Sequence, residues 1–338
     1  MNFKIKSLAL AIVAALGLGA VGEASAYVYA SSALEVQNLS IFTYDSSGNP
    51  ILPTTYNFSS TNTASLNGVP AIQIANCNGT YGGATTCGPG LPGLPVLDAL
   101  AAEIPAGARG GQNNYGYVGT GTQYGSADSV IWNAELISGL THTNQIAESN
   151  LMNGTDASGS AELQSVTKFL YNITVPTTAN IIMSFAANPD LMAAINDLTA
   201  NAATAQANMR WVFQLTQNTG GNGFVIWQPR GTGANDCVIA GVAGGACTET
   251  ADGADLNHQV NVATLPLSTD AYSYNDGVFS PFGLSVTGLT AGNWSFSLDA
   301  VTSENITRVP EPATLLLLGV GLAALGATQL RRRQGRTA

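Results

Sequence analysis

Trp294-Ser295-Phe296-Ser297-Leu298-Asp299-Ala300-Val301 is the stretch on which the fold turns. Trp294, Phe296, Leu298 and Ala300 occupy every second position, and a period of two places them on one side of a β-strand. The same pattern returns upstream. Ala203 to Thr216 sets Trp211, Phe213 and Leu215 on one face, and Ile181 to Ala186 does so with Ile181, Met183 and Phe185. Leu163 to Val175, Phe224 to Gln228, Gln259 to Leu267 and Phe279 to Val286 read as further strands. Gly220-Gly221-Asn222-Gly223 and Gly288 to Gly292 read as turns between them. Many strands and few helices define a mainly β chain, and the expectation is an antiparallel β-sandwich, jelly-roll-like, with one or two short helices.

Nearer the N-terminus, Tyr27 to Tyr44 is strand. Leu34 and Val36 alternate in one phase and Leu39 and Ile41 in the other, so Asn38 marks a bulge. Asp45 to Pro50 is a turn cluster. Val96 to Glu103 reads as one or two helical turns stopped by Pro105. Residues 105–128 form a long connection in which Tyr115, Tyr117 and Tyr124 either stack on sugars or pack the loop onto the sheet. Ser129 to Ile137 is strand or short helix, and the polar residues 139–160 read as a turn. The expected helix starts with Asn188 as N-cap and Pro189 at the first helical position, followed by Leu191, Ile195 and Leu198 at helical spacing.

Downstream of the decisive strand the composition changes. Pro310-Glu311-Pro312 precedes an uncharged run from Ala313 to Leu330, then Arg331, Arg332, Arg333 and Arg336. Eighteen helical residues reach about 27 Å, close to the hydrocarbon thickness of a bilayer. Residues 313–330 are therefore read as a transmembrane helix whose arginines anchor its cytoplasmic end. This tail, VPEPATLLLLGVGLAALGATQLRRR, resembles the PEP-CTERM sorting signal of Gram-negative bacteria over residues 309–336. The resemblance implies that an exosortase-type membrane protease recognises Pro310, Glu311 and Pro312 and removes the helix. Residues 282–312 look like the last hairpin that precedes such tails. Residues 27–44 and the Ala147-Glu148-Ser149-Asn150 segment also resemble the EDSAP-type group of surface proteins, which lends no chemistry to any residue here.

The other end agrees. Lys4 and Lys6, an apolar run from Leu8 to Gly19 and the Ala24-Ser25-Ala26 cleavage site make residues 1–26 a secretory signal peptide. Residues 27–308 are then the β-sandwich ectodomain. The expected route is through the secretion machinery and the inner membrane of a Gram-negative bacterium, with a transient anchor there. The cell surface or extracellular matrix is the destination. Without its ends the body keeps five basic residues (Arg109, Lys168, Arg210, Arg230 and Arg308) against nineteen acidic ones, a net charge of −14. Such a surface repels phosphate backbones, so no nucleic-acid partner is expected. Acidity serves either solubility or the collection of divalent cations.

Cys77, Cys87, Cys237 and Cys247 form two pairs, each with nine intervening residues in a Gly-rich stretch. An even count in an exported chain favours disulfides, and local pairing, Cys77–Cys87 and Cys237–Cys247, is the simplest of three connectivities. No zinc spacing is present, and no metal site is expected. Calcium is the weak alternative, at Asp252-Gly253-Ala254-Asp255 or Asp45-Ser46-Ser47-Gly48-Asn49; neither has the EF-hand pattern, and Asx turns account for both. His142 has Glu135 and Glu148 nearby, but no nucleophile elbow, H-E-x-x-H or phosphate loop occurs, and both His142 and His258 read as exposed loop residues. No catalytic residue and no cofactor are assigned. The expected function is a structural or adhesive protein associated with exopolysaccharide. The alternative is a secreted carbohydrate-binding or polysaccharide-hydrolysing module.

Overall fold

A computed structural model describes residues 27–80, 95–109, 113–116, 118–119, 122–132, 139, 141–152, 159–197, 202–264, 268–275 and 278–309. The expected signal peptide and the expected membrane helix lie outside them. The strands are β1 (Tyr27–Asp45), β2 (Thr55–Leu66), β3 (Val69–Thr80), β4 (Pro95–Ile104), β5 (Tyr124–Trp132), β6 (Thr141–Met152) and β7 (Gly159–Asp197). They continue as β8 (Ala202–Gln217), β9 (Phe224–Trp227), β10 (Cys237–Ala240), β11 (Ala246–Asp252), β12 (Gln259–Thr264), β13 (Ser268–Asn275) and β14 (Ser280–Val309). They join into one antiparallel network that folds back on itself as two layers.

The two longest strands make the fold. β7 and β14 lie side by side from Gly159 opposite Arg308 to Ala187 opposite Ser280. Their neighbours change partway along. Residues 161–172 of β7 pair with β2, and residues 294–309 of β14 pair with β8, which gives the layer β3-β2-β7-β14-β8-β9-β10. Farther along, residues 179–196 of β7 pair with β1, and residues 282–287 of β14 pair with β11. The second layer runs β4-β5-β6-β1-β7 and continues through β13 and β14. Gly288 to Gly292 is therefore a bend within β14, with register shifts at Val286/Leu289 and Thr290/Gly292, and does not separate two strands. Gly292 has φ 141°, and a Cβ there would collide with the Thr219 carbonyl, so only glycine fits the bend.

Alternation sets the packing. Trp294, Phe296, Leu298 and Ala300 are buried, as are Trp211, Phe213 and Leu215. At this end the rings meet across the layers. Phe185 stacks on Trp211 at 4.7 Å and on Phe282 at 4.9 Å, and Trp211 meets Trp227 edge-on at 5.2 Å. Asn38 has φ 55°, and the register of β1 shifts beside it on both partners, which is the expected bulge.

The expected helices are strands. Asn188 to Asp197 continues β7, and Leu191, Ala193 and Ile195 are buried with a period of two. Leu191 and Ile195 are four apart, a spacing that both periods satisfy. Pro189 lies opposite Leu34; on its other flank the pairing steps from Asn275 opposite Asp190 to Ser280 opposite Ala187, so Pro189 breaks no ladder there. Val96 to Glu103 belongs to β4, paired with β5 through two register shifts. Residues 141–152, expected as a turn, are β6, between β1 and β5. Leu198 and residues 133–138, Glu135 among them, lie outside the described residues.

Candidate functional site

The polar chemistry gathers at the other end of the sandwich. Between the layers, Ser60 and Ser129 share a short hydrogen bond, and Ser129 Oγ donates to Asn62 Oδ1 at 2.6 Å. Ser165 Oγ donates to the Asp128 carbonyl at 2.9 Å, and Thr167 Oγ1 to Gln145 Oε1 at 2.8 Å. Ser149 Oγ donates to Glu304 Oε2, while Glu304 Oε1 has no hydrogen-bond partner among the described residues. Burial holds the Glu304 carboxyl well above the usual range, opposed by the Ser149 bond and reinforced by the Glu148 charge.

Glu148 lies on the opposite face of β6, beneath the connection that follows β4. Pairing sets Ser31, Glu148 and Ser126 in one cross-strand row and Tyr29, Asn150 and Tyr124 in the next. Glu148 Oε1 accepts from the Tyr29 hydroxyl at 2.6 Å, from the Val118 backbone N–H at 3.0 Å and from the Gly119 backbone N–H at 3.1 Å. Arg109 Nε lies 3.4 Å from Glu148 Oε2, with both side chains almost fully buried (1% and 0% exposed). Arg109 also donates to the Gly116 carbonyl, and Asn114 Nδ2 returns a bond to the Arg109 carbonyl at 2.8 Å. Burial first, then the Glu148 charge, pushes the Tyr29 and Tyr124 hydroxyls far up, so both remain neutral donors. Tyr124 is buried and donates to the Gly119 carbonyl, which is the packing role of the two considered for it.

Beside this clamp, Asn113 joins two carboxylates. Its backbone N–H donates to Asp128 Oδ2 at 2.8 Å, and its Nδ2 to Asp98 Oδ2 at 2.9 Å. Tyr115 donates to Asn113 Oδ1 and meets Trp132 edge-on at 6.4 Å. Asp128 is 2% exposed, and desolvation pushes its carboxyl up to about 6, with Asp98 adding to the rise. Tyr117 lies outside the described residues.

Neither histidine is exposed, and only His258 lies in a loop. His142 is on β6, half-buried, 4.8 Å from the Trp132 ring and 3.2 Å from Glu35 Oε1. Its partner is Glu35; Glu148 on the same strand belongs to Arg109. His258 stacks on Tyr274 at 4.1 Å, with Nδ1 3.1 Å from Asp255 Oδ2. Strand pairing and aromatic contact place the His142 ring; His258 lies in the loop before β12, half-buried against Tyr274.

The second cysteine loop holds Cys237–Cys247 as a disulfide, the local pairing expected. Cys77 is buried on β3, and Cys87 lies outside the described residues. Next to the disulfide, Asp236, Glu249 and Asp252 offer carboxylate oxygens within 4.8 Å of one another, a set of hard ligands of the type a divalent cation takes. They also hold the backbone. Asp236 Oδ2 accepts from Arg230 N and Asp252 Oδ2 from Thr232 N, both at 3.1 Å, and Glu249 accepts from the Trp227 indole. Burial raises the Glu249 and Asp252 carboxyls. Asp255 stands outside this set: its Oδ1 accepts from Asn257 N at 2.8 Å, an Asx turn. Asp45 likewise takes Ser47 N and Asn49 N at 2.8 Å, and the Asn49 side chain foremost holds its carboxyl below the usual range.

Arg109 and Asp128 escaped the sequence reading as site residues. The available signal was the scarcity of cations: one of five basic residues in so acidic a body, set among glycines, needs a carboxylate partner if it is buried. In the Ala147-Glu148-Ser149-Asn150 segment all four residues are buried.

The described residues form an antiparallel β body held by a buried polar clamp. Residues 308–333 match the PEP-CTERM protein-sorting motif. That motif supports export through the membrane, processing by an exosortase, itself a membrane protein, and localisation at the cell surface. The match covers the sorting segment and does not extend to the EDSAP-type group. Pro310, Glu311, Pro312, Arg331, Arg332, Arg333, Ala24 and Ala26 lie outside the described residues. No curated protein matches the chain. Two viral structures share 12% identity, each with a TM-score of 0.09. One is of T=1 particles derived from infectious bursal virus, matched over 88% of this chain and 84% of that one. The other is of infectious bursal disease virus Gt strain, matched over 85% and 79%. At that score the likeness carries no argument.

Proposed function

We propose that the processed protein is a non-catalytic structural or adhesive component of the cell surface or extracellular matrix, associated with exopolysaccharide. The observation that carries this reading is the employment of the buried acids. Glu148 is committed to Arg109, Tyr29 and two backbone N–H groups, so its task is to hold a connection against β6. A catalytic acid or base must instead reach a substrate.

A second reading, polysaccharide hydrolysis, is favoured by one arrangement. Asp98 and Asp128 are tied to the same Asn113, with Tyr115 and Trp132 alongside, and paired carboxylates flanked by aromatic rings suit glycoside hydrolysis. Burial of Asp128 weighs against it, because substrate would have to displace Asn113. The deciding experiment incubates the processed protein, purified from cells, with the exopolysaccharide of the same cells. Association at constant polymer length is expected. Shortening of the polymer that ceases in Asp128→Asn or Asp98→Asn, with the fold retained, would replace the structural reading by the hydrolytic one.

A further inference from the structure

The outer face of the first layer carries a groove of about 600 Å³ that crosses five adjacent strands, β3, β2, β7, β14 and β8. That volume is within the range of sites that hold small or extended ligands. Strand pairing writes its floor as two parallel rows. Thr63, Gln164, Ser303 and Asn208 stand opposite one another in the first. Ser65, Glu162, Asn305 and Gln206 do so in the second. Gln206 Nε2 donates to Asn208 Oδ1 at 3.0 Å and links the rows at their β8 end.

We infer that this groove binds an extended, uncharged polysaccharide, the polymer class that the proposed matrix role requires of a partner; the inference rests on that role. Three observations select this occupant. Over β2, β7, β14 and β8 both rows offer amides and hydroxyls, which donate and accept hydrogen bonds as sugar hydroxyls do, and at β3 they end in Ile72 opposite Thr63 and Pro70 opposite Ser65, an apolar edge that a sugar ring face can cover. Glu162 is the one charged side chain in the rows, so nothing there compensates an anionic polymer, and the acidic body repels one. The rows repeat at the strand spacing of about 4.8 Å, close to the interval between successive rings of an extended hexose chain. A second copy of the protein is a poorer fit, since the centres of such interfaces concentrate aromatic, Met and Arg side chains, and these rows hold none. The position is also apt. Ser303 and Asn305 stand on the last stretch of β14, which runs directly into the sorting motif, so the groove lies beside the end left by processing.

The test uses processed protein purified from the cell surface. Its probes are a soluble neutral glucomannan, an anionic polyuronate and the cells' own exopolysaccharide. Wild type is expected to bind glucomannan and not polyuronate. The Gln164→Ala, Gln206→Ala, Asn305→Ala triple variant should lose at least about tenfold in affinity. The isosteric Gln164→Glu, Gln206→Glu pair, which removes amide donors and adds charge, should show a similar loss. A control pair on the other layer, Gln37→Ala and Asn144→Ala, should bind as wild type, with equal melting temperatures throughout. Glucomannan binding unchanged in both groove variants would overturn the site and leave the matrix role standing. Preference for polyuronate, or binding of the cells' exopolysaccharide without any binding of glucomannan, would overturn the ligand class. Failure to bind any of the three would overturn the groove and the matrix role together.

Discussion

The two ends of the sandwich solve the same packing problem with opposite chemistry. At one end Phe185, Trp211, Trp227 and Phe282 fill the space between layers with rings. At the other, Ser60, Ser129, Asn62, Ser165, Thr167, Gln145 and Glu304 fill it with hydrogen-bonding groups, and the Arg109–Glu148 pair seals the face behind them. The first end is stabilised by area removed from water, which tolerates small shifts in position. The second holds only while donors meet acceptors, because a buried polar group without a partner is costly. The dry end therefore supplies stability, and the polar end supplies register.

Substitutions can break this contrast. Trp211→Ala should cost the most, roughly 3–5 kcal/mol, because it empties the centre of the ring cluster; Trp294→Ala, equally buried, belongs to the same range. Denaturant unfolding measures both, and a loss under about 1 kcal/mol would mean that the rings do not carry the dry end. Glu148→Gln should cost about 3 kcal/mol, since it leaves the buried Arg109 charge uncompensated. Limited proteolysis of the same variant should cut first between residues 105 and 123; uniform cutting would show that the clamp does not hold that connection. Replacing Cys237 and Cys247 together with Ser should cost about 2.5–3 kcal/mol from the released loop, judged by the chain-entropy relation.

The smallest effect has the opposite sign. Asp128 titrates near 6 in the fold, above its ordinary 3.8, so the folded state holds its proton more tightly than the unfolded chain does. The stabilising share of that proton is complete below about pH 4 and is lost as pH rises through 6. Asp128→Asn keeps an acceptor for the Asn113 N–H and removes the buried charge. It should raise stability by roughly 1–3 kcal/mol at pH 8 and leave it unchanged at pH 3.5. Equal stabilisation at both pH values would refute the titration.

The dry end was legible in the sequence, and much of the polar end was not, for one reason. Alternation of Trp, Phe and Leu with Ser and Asp marks both the strand and its buried side, as at Trp294 to Ala300. β6 breaks that code: Thr141, Thr143, Gln145 and Ser149 are among its buried side chains, with only Ala147 and Leu151 apolar in the same phase, so hydropathy reads the stretch as a surface turn. Arg109 and Glu148 are 39 residues apart, and no local period can reveal their pairing. Asn188-Pro189 carries a sound helix-start signal that loses to pairing with β1 and β13. The bend at Gly292 reads as a turn because the chain does turn there, without leaving its partner β7.

The continuity of β14 also bears on how the protein withstands load. Its last residues, 294–308, lie between β7 and β8, paired on both sides, and the chain leaves at Val309 towards the tail. Were the tail held in a membrane, as its sequence predicts, a pull on the body would be directed along β14. The strand cannot peel from an edge; it has to slide past two neighbours at once, and the whole ladder shares the strain. A precursor tethered in that way would hang from a strand paired on both sides, and a drag that would unzip an edge strand such as β3 would meet shear resistance here.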